Sequence, residues 1–259
     1  MNAAGARGPG RVRSVAPSGR TSFESAYLCA EPFLPPLYKL VRRRLRALAA
    51  GFGRVPAILD VGGRKSHYTI DVPAEITISD LPRESAIQKQ LHLGIDDPIR
   101  EQILERRSNV RQILYDDMTR SALPDESFDL VLAVEVLEHV EDDGAFVRQS
   151  HRLLRPGGVF LMTTPNGDFV PNTNPDHKRH YTRRHLVERL SASFPEVRVA
   201  YAIRAGRWRN LGLKSWSPRH PLRTALSMTG NVVNTWQSVR VGPEEATGTR
   251  HLVAEARKS

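Results

Sequence analysis

Short apolar runs alternate with polar, helix-compatible stretches in the first half of the chain. The runs at 57–61, 75–79, 110–115 and 128–134 have the length of buried strands. The stretches between them are long enough for crossover helices, which favours parallel strands with helices packed on both faces. We therefore expect an α/β fold with a mostly parallel sheet.

Two further apolar segments near the end of the chain also read as strands. They are "EVRVAYAIR" at 196–204 and "RHLVAEAR" at 250–257. Residues 205–248 between them contain three tryptophans and several arginines without a clear period. A segment of that length is often a lid or a substrate-binding segment, and a peripheral helix pair is the alternative.

The region before the first strand divides into a tail and a helix. Residues 1–25 are rich in Gly, Ala, Arg, Ser and Pro without apolar periodicity, which predicts a disordered basic tail. Apolar positions recur on one helical face from Leu37 onward, and Gly51 can end this helix. We expect residues 31–259 to form one domain.

Composition narrows the class of protein. The chain has 259 residues, 40% of them hydrophobic, and contains neither an apolar run long enough to cross a bilayer nor an apolar signal core. Its single cysteine excludes an intrachain disulfide and a zinc cluster built on cysteines. These features predict a cytoplasmic globular enzyme.

The net charge of +10 raises the question of a nucleic-acid partner. The arginines are spread over the tail, the 42–46 run and the second half of the chain, without the aromatic-interleaved strand motif of RNA-binding modules. Charge runs usually line solvated faces. A small-molecule acceptor is therefore favoured over nucleic acid, which is not excluded.

An acidic residue closes or follows each of the four predicted parallel strands. They are Asp60, Asp80 twenty residues later, the pair Asp116 and Asp117, and Glu135. Ligands of such sheets bind at the carboxyl ends of the strands, and an acid at this spacing can accept hydrogen bonds from a ribose. A nucleotide-like cofactor is the expected ligand.

The stretch "LPDESFDLVLAVEVLEHVEDDGAFVRQSHRLLRPGGVFLMTTPN" resembles the class I S-adenosylmethionine-dependent methyltransferases, in the subgroup that includes the ubiquinone-biosynthesis O-methyltransferases. The similar features are a Phe-Asp strand, a Glu-X-X-Glu-His turn and Leu-Arg-Pro-Gly-Gly before the fifth strand. The resemblance covers about 57–185. It implies a Rossmann-like sheet of seven strands, mostly parallel, with an antiparallel edge hairpin, and S-adenosyl-L-methionine as the cofactor.

The resemblance also implies roles for single residues. Asp80 would bind the ribose and Asp117 the adenine amine, with Leu81 and Met118 flanking the ring, while Asp60 and Glu135 would close their strands beside the cofactor.

The loop "DVGGRKS" departs from the Gly-X-Gly-X-Gly pattern of the family. Gly62 stands in place, Gly63 is adjacent, and Arg64 occupies the second glycine position. Gly63 is expected to adopt the positive φ one position early. Arg64 would either pair with the carboxylate of the cofactor or point to solvent.

Methyl transfer to oxygen requires an aligned acceptor and a base. His139 is the first candidate for the base, and His177 and His180 in "NPDHKRHYT" are the second. A cation held by Glu135, Glu138 and His139 is an alternative that the expected site does not require.

The sequence therefore predicts O-methylation of a small molecule, a sugar or a lipid-linked precursor. RNA methylation is the first alternative, because the chain is basic. A binding protein for S-adenosylmethionine without catalysis is the second.

Overall fold

The computed structural model describes residues 19–83 and 94–259. Its strands are β1 (Ala57–Val61), β2 (Glu75–Asp80), β3 (Val110–Tyr115), β4 (Phe128–Val134), β5 (Leu154–Pro165), β6 (Glu196–Arg204) and β7 (Thr249–Arg257). They form one sheet in the order β3-β2-β1-β4-β5-β7-β6, in which only the pairings of β7 are antiparallel. The expected seven-stranded Rossmann-like sheet with an antiparallel edge is confirmed.

Helices pack on both faces of the sheet. They are α1 (Ser22–Ala30), α2 (Pro36–Gly51), α3 (Asp97–Arg106), α4 (Asp143–Leu153), α5 (Arg183–Ser191), α6 (Arg207–Gly212) and α7 (Pro221–Val239). Successive residues of β1 enter opposite cores, because side chains alternate along a strand. Ile58 packs in the core with α2 and α3, whereas Leu59 packs in the core with α4 and α5.

In the described part of the chain, no helix is both long and apolar enough to cross a membrane.

The first helix shortens the expected basic tail. Residues 1–18 lie outside the described residues, but residues 22–25 form the first turn of α1. Thr21 Oγ1 accepts the Glu24 N–H at 3.1 Å, and Glu24 returns a bond to the Thr21 N–H at 2.8 Å. The buried Glu24 also accepts from the backbone N–H and the hydroxyl of Ser108. Helix α1 is therefore attached to the domain.

Segment 205–248 contains the two helices α6 and α7, as in the helix-pair alternative, and its role as a lid or substrate-binding segment stays a prediction. Gly230 allows the two helices to approach closely, because a Cβ there would lie 2.8 Å from the Gly212 nitrogen. The Asn231 side chain donates to the Gly212 carbonyl, and Asn234 donates to the Arg204 carbonyl at the end of β6. These bonds hold the pair beside the carboxyl ends of the strands.

A buried carboxylate joins the amino ends of three neighbouring strands. Asp129 of β4 accepts the Ala57 N–H of β1 at 2.8 Å, the Arg54 guanidinium at 2.5 and 2.9 Å, and Arg155 of β5 at 3.0 Å. Burial raises the pKa of Asp129, but the donors outweigh burial and hold the pKa below its usual value. The stabilisation is therefore present at neutral pH and is lost as the pH falls through the folded-state pKa.

Asp129→Ala should lower the free energy of unfolding at pH 7 by about 1–3 kcal/mol, because a buried N–H and two arginines lose their acceptor. Urea denaturation at pH 7 and near pH 3 measures this loss, which should shrink at the lower pH. Asp125→Ala is the matched control: Asp125 pairs with Arg152 but is 70% exposed, so its loss should stay below about 1 kcal/mol. Equal losses in the two variants would contradict the assigned role.

Candidate active site

A cavity of about 970 Å³ lies at the carboxyl ends of the first four strands. The pairing of Val61 with Ser79 and Ala133 brings these strand ends level with one another. Most of the residues predicted from the sequence line the cavity: Gly62, Arg64, Asp80, Leu81, Asp117, Met118, Glu135 and His139. Four predicted residues are not on its wall: Asp60, Gly63, His177 and His180.

The glycines after β1 have different roles from those expected. The positive φ falls at Gly62, at 69°, and Gly63 does not have a positive φ, so that prediction was wrong. Gly63 is needed for space, because a Cβ there would lie 2.6 Å from the Asp60 carboxylate. The Gly62 N–H donates to the Ser79 carbonyl at 2.8 Å, which draws the loop onto β2.

Asp60 supports this loop from below. It is fully buried, with the Tyr68 hydroxyl at 3.5 Å and an Arg107 guanidinium nitrogen at 4.0 Å. Burial raises the pKa of Asp60 to about 7, against the opposing effect of Arg107. Arg107 also donates to the Gly63 carbonyl at 3.3 Å. Sequence reasoning did not identify Arg107 or Tyr68, because neither lies in a motif.

Arg64 lies on the cavity wall and is half-buried. Burial lowers the pKa of its guanidinium, and the charges of Asp80 and Asp96 act in the opposite direction. Arg64 therefore does not extend wholly into solvent, which was one of the two alternatives.

The carboxylates at the ends of β2 and β3 differ in the number of hydrogen bonds that they accept. Asp80 accepts the Leu81 N–H at 2.8 Å through Oδ1, and burial raises its pKa. The Asp117 carboxylate accepts from the N–H and hydroxyl of Thr119 and from Arg120. Asp116 also lines the cavity, and its buried Oδ2 has no hydrogen-bond partner among the described residues. Asp116 thus offers a free acceptor within the described residues, whereas the family resemblance assigned the adenine amine to its neighbour Asp117.

Glu135 lies after β4 in a positive-φ conformation, with φ at 55°. Its carboxylate accepts the Thr163 hydroxyl at 2.9 Å and lies 3.2 Å from His251 Nδ1. Burial raises the pKa of Glu135, but His251 and Thr163 outweigh it and lower the pKa below its usual value. Glu135 therefore remains ionised at neutral pH.

Residues distant in sequence form the cavity wall beyond Glu135. They are Tyr38 of α2, Arg209 of α6, Asn231 and Asn234 of α7, and His251 of β7. Within residues 19–83 and 94–259, no carboxylate lies within ion-pair distance of Arg209, although the charge of Glu135 acts on it. This part of the wall combines one unpaired cation with several hydrogen-bonding groups. Sequence reasoning assigned 205–248 no specific site residue.

The three predicted histidines form a connected group. His139 Nδ1 lies 3.1 Å from the Asp176 carbonyl, and His180 Nδ1 lies 2.9 Å from the Val170 carbonyl. Carbonyl oxygens only accept, so both Nδ1 atoms carry the proton. His180 Nε2 lies 2.8 Å from His177 Nδ1, and in a neutral His180 ring with its proton on Nδ1 this Nε2 accepts from His177. The Nε2 atoms of His139 and His177 are consequently left as proton acceptors.

A buried carboxyl lies beside these histidines. Glu138 is fully buried, and burial together with the charge of Glu135 holds its pKa well above the usual range. One ligand atom each from Glu138, His139 and His177 lies within 4.8 Å of the others. The group that could share a cation therefore contains His177, whereas the sequence pattern suggested Glu135, which interacts with His251 instead.

Comparison with known families identifies a domain within the chain. The model of the family described as "Methyltransferase domain" matches residues 48–162. A probable S-adenosylmethionine-dependent methyltransferase of Mycolicibacterium smegmatis is 36% identical over 113 residues, 42% of each chain. A ubiquinone biosynthesis O-methyltransferase of Xanthomonas oryzae pv. oryzae is 33% identical over 135 residues, 51% of this chain and 52% of that protein. The alignments therefore span about half of these curated relatives.

Solved structures share the fold at low sequence identity. A SAM-dependent methyltransferase from Archaeoglobus fulgidus superposes with a TM-score of 0.55 and 16% identity, over 85% of this chain and 94% of that one. The [4+2]-cyclase SpnF superposes with a TM-score of 0.51 and 19% identity, over 84% and 81%. The second protein is named for a different reaction. The structural similarity therefore shows the fold, and the reaction has to be inferred from the residues of the site.

The raised pKa of Asp60 has a consequence for stability. Its unfolded-state pKa is near 3.9, so the folded state retains a proton that the unfolded state releases between about pH 4 and pH 7. Stability should therefore fall as the pH rises through this window, by on the order of 2–4 kcal/mol. Asp60→Asn should remove this part of the pH dependence.

Denaturant unfolding of wild type and Asp60→Asn at pH 5 and pH 8 measures the difference in slope. Asp97→Asn is the control, because Asp97 is 75% exposed, and it should keep the wild-type slope. Identical slopes in all three proteins would contradict the raised pKa.

Proposed function

We propose that this protein transfers the methyl group of S-adenosyl-L-methionine to a hydroxyl of a small molecule, because residues 48–162 match the family model described as "Methyltransferase domain" and a probable S-adenosylmethionine-dependent methyltransferase is similar to part of the chain. The observation that carries the proposal is the position of Gly62, Asp80, Asp117 and Glu135 around one cavity. Each follows or ends a different parallel strand, where ligands of such sheets bind.

The cavity has the donors and acceptors that this cofactor requires. Among the described residues, the hydrogen bond given for the Asp80 carboxylate is to Oδ1, so Oδ2 would accept from ribose hydroxyls. Gly62 leaves space, since a Cβ there would lie 3.0 Å from Val136. Leu81 and Met118 supply apolar surface for the adenine ring, and Asp116 or Asp117 supplies the acceptor for its amine. The cofactor, when bound, provides a methyl group on a sulfonium that a nucleophile attacks.

The wall beyond Glu135 supports a small polar acceptor with an anionic group. Arg209 is an unpaired cation there, and a carboxylate or phosphate would satisfy it through charge-assisted hydrogen bonds. Asn231 and Asn234 supply further polar atoms. The similarity to the ubiquinone biosynthesis O-methyltransferase agrees with oxygen as the methylated atom.

We assign His139 as the base. It is the predicted histidine on the cavity wall, and in the neutral ring the bond from Nδ1 to the Asp176 carbonyl leaves Nε2 as the acceptor. That bond also orients the ring, as a base must be oriented before it can take a proton from a bound hydroxyl. The His177 ring packs edge-on against His139 and is itself bonded to His180, so both would stabilise the position of His139.

Asp80→Ala should weaken binding of S-adenosylmethionine by at least about 1.5 kcal/mol, roughly tenfold in Kd, through the loss of hydrogen bonds to a charged acceptor. Isothermal calorimetry measures the Kd, and the demethylated product serves as a second ligand. Asp116→Ala and Asp117→Ala, compared in the same way, decide which acid contacts the adenine amine.

Glu188→Ala is the control for these variants, since Glu188 lies on the exposed face of α5 and pairs with Arg184. It should bind like wild type. If neither ligand binds wild type at millimolar concentration, the proposed cofactor is wrong. Binding without methylation of any acceptor would instead favour a non-catalytic binding protein.

His139→Ala should lower the turnover rate by about 100-fold or more while leaving cofactor affinity nearly unchanged. The acceptor is found first, by screening hydroxylated metabolites and anionic sugar conjugates with labelled cofactor. Single-turnover kinetics then isolates the chemical step from product release.

His185→Ala is the matched control, because His185 is exposed on α5 and does not line the cavity. Full activity of His139→Ala together with an inactive His177→Ala would move the base to the second histidine. Full activity of both variants would leave catalysis to positioning alone, and the assignment of a histidine base would be wrong.

A further inference from the structure

Helix α7 has its apolar residues on the outside. Its buried positions carry small or polar side chains: Ser227, Gly230, Asn231 and Asn234. Its exposed positions include five large apolar side chains: Leu222 (81% exposed), Leu226 (55%), Val232 (43%), Trp236 (61%) and Val239 (64%). Helices on the surface of a globular domain normally have the opposite polarity. We call these five side chains the outward face.

The outward face is continuous along the helix. Leu222, Leu226, Val232, Trp236 and Val239, with Thr229 between the second and third, recur at steps of three or four residues, which keeps them on one side. A helix of this length spans roughly 28 Å at 1.5 Å per residue. Contiguous exposed apolar surface of this extent usually marks a contact surface.

Basic residues flank the outward face, and acids are missing from the whole segment. Residues 205–243 contain six basic residues and no Asp or Glu: Arg207, Arg209, Lys214, Arg219, Arg223 and Arg240. Arg219 precedes α7, Arg223 lies in its first turn, and Arg240 follows its end, where the guanidinium stacks 3.4 Å from the Trp236 ring centre. In the described part of the chain, none of these three forms an ion pair. Their charges are therefore available to an anionic partner.

A second copy of this chain fits the outward face poorly. In a two-fold antiparallel pairing of α7, the start of each helix meets the end of the other, so Arg223 would face Arg240. A parallel pairing would bring each arginine against its own copy. Both arrangements concentrate positive charge, which opposes self-association.

We propose that the outward face of α7 docks the protein on an anionic lipid bilayer. An interfacial helix places its leucine and tryptophan side chains among the acyl chains near the headgroups, while its arginines contact anionic headgroups. The inner face of α7 contributes Asn231 and Asn234 to the cavity wall, so the docked helix lies between the lipid surface and the cavity. The proposal rests on α7 alone and stands whether or not the protein transfers methyl groups.

Vesicle sedimentation of the full chain tests this docking. The protein should bind vesicles of phosphatidylcholine and phosphatidylglycerol in equal parts, should bind vesicles of phosphatidylcholine alone much more weakly, and should dissociate as salt is raised. The double variant Leu226→Ser/Trp236→Ser should lower the partition coefficient by about tenfold or more, because two apolar side chains leave the membrane. Changing Arg219, Arg223 and Arg240 together to Gln should lower binding to the anionic vesicles by a similar factor.

Val55→Ser is the matched control, since Val55 is 61% exposed and precedes β1 at the opposite end of the sheet. It should bind vesicles like wild type. Unchanged thermal melting of the α7 variants shows that they are folded, which is expected because the altered side chains are exposed.

Three results would overturn the proposal. The first is no binding to anionic vesicles, and the second is an equal loss of binding in Val55→Ser. The third is a dimer in light scattering that Leu226→Ser/Trp236→Ser dissociates, which would assign the face to a second copy. Binding to polyglutamate without binding to vesicles would likewise count against a lipid surface and indicate an acidic protein.

Discussion

The cavity depends on the buried pair of Asp60 and Arg107 beneath the loop that follows β1. Asp60 packs against the backbone of Gly63, and Arg107 donates to the Gly63 carbonyl. Arg107 precedes β3, so one side chain connects the first and third strands below the ligand-binding edge. Arg107 offsets part of the cost of burying this carboxyl, whose pKa burial nevertheless raises to about 7, because desolvation of a lone carboxylate costs several kcal/mol. The loop can therefore lack the usual second glycine and still be held in place.

Elements that depend on local patterns were predicted from the sequence. Five strands and the hairpin partner at 250–257 were predicted from the periodicity and length of apolar runs. The order of the strands in the sheet was predicted from the family resemblance. Helix α1 was not predicted, although the sequence contains a signal for its start. Thr21 and Glu24 form a capping box, which stabilises a helix despite the Gly-, Ser- and Pro-rich composition of the preceding residues. The positive φ was assigned to the wrong glycine because the sequence does not show the carboxylate that occupies the space beside Gly63.

The acids after the strands were predictable, whereas the far side of the cavity was not. Asp80, Asp117 and Glu135 each end or follow a parallel strand. Because parallel strands end at the same edge of the sheet, the sequence already predicts that these acids lie near one another. Arg209 and Asn234 reach the cavity only because α6 and α7 fold back beside β6 through side-chain bonds to backbone carbonyls. The protonation states of the histidines likewise depend on the carbonyls of Asp176 and Val170, and no sequence pattern contains that information.

The position of β7 imposes an order on assembly. Among the described strands, β6 pairs with β7 alone, and β7 itself lies between β5 and β6. During synthesis, β6, α6 and α7 are therefore made before the strand that attaches them to the sheet, and they remain unpaired until residues 249–257 are available. The sheet from β3 to β5 needs no later segment for its pairings. Because pairings between distant segments form slowly, the half of the sheet that carries the acids should become ordered before the half that covers them.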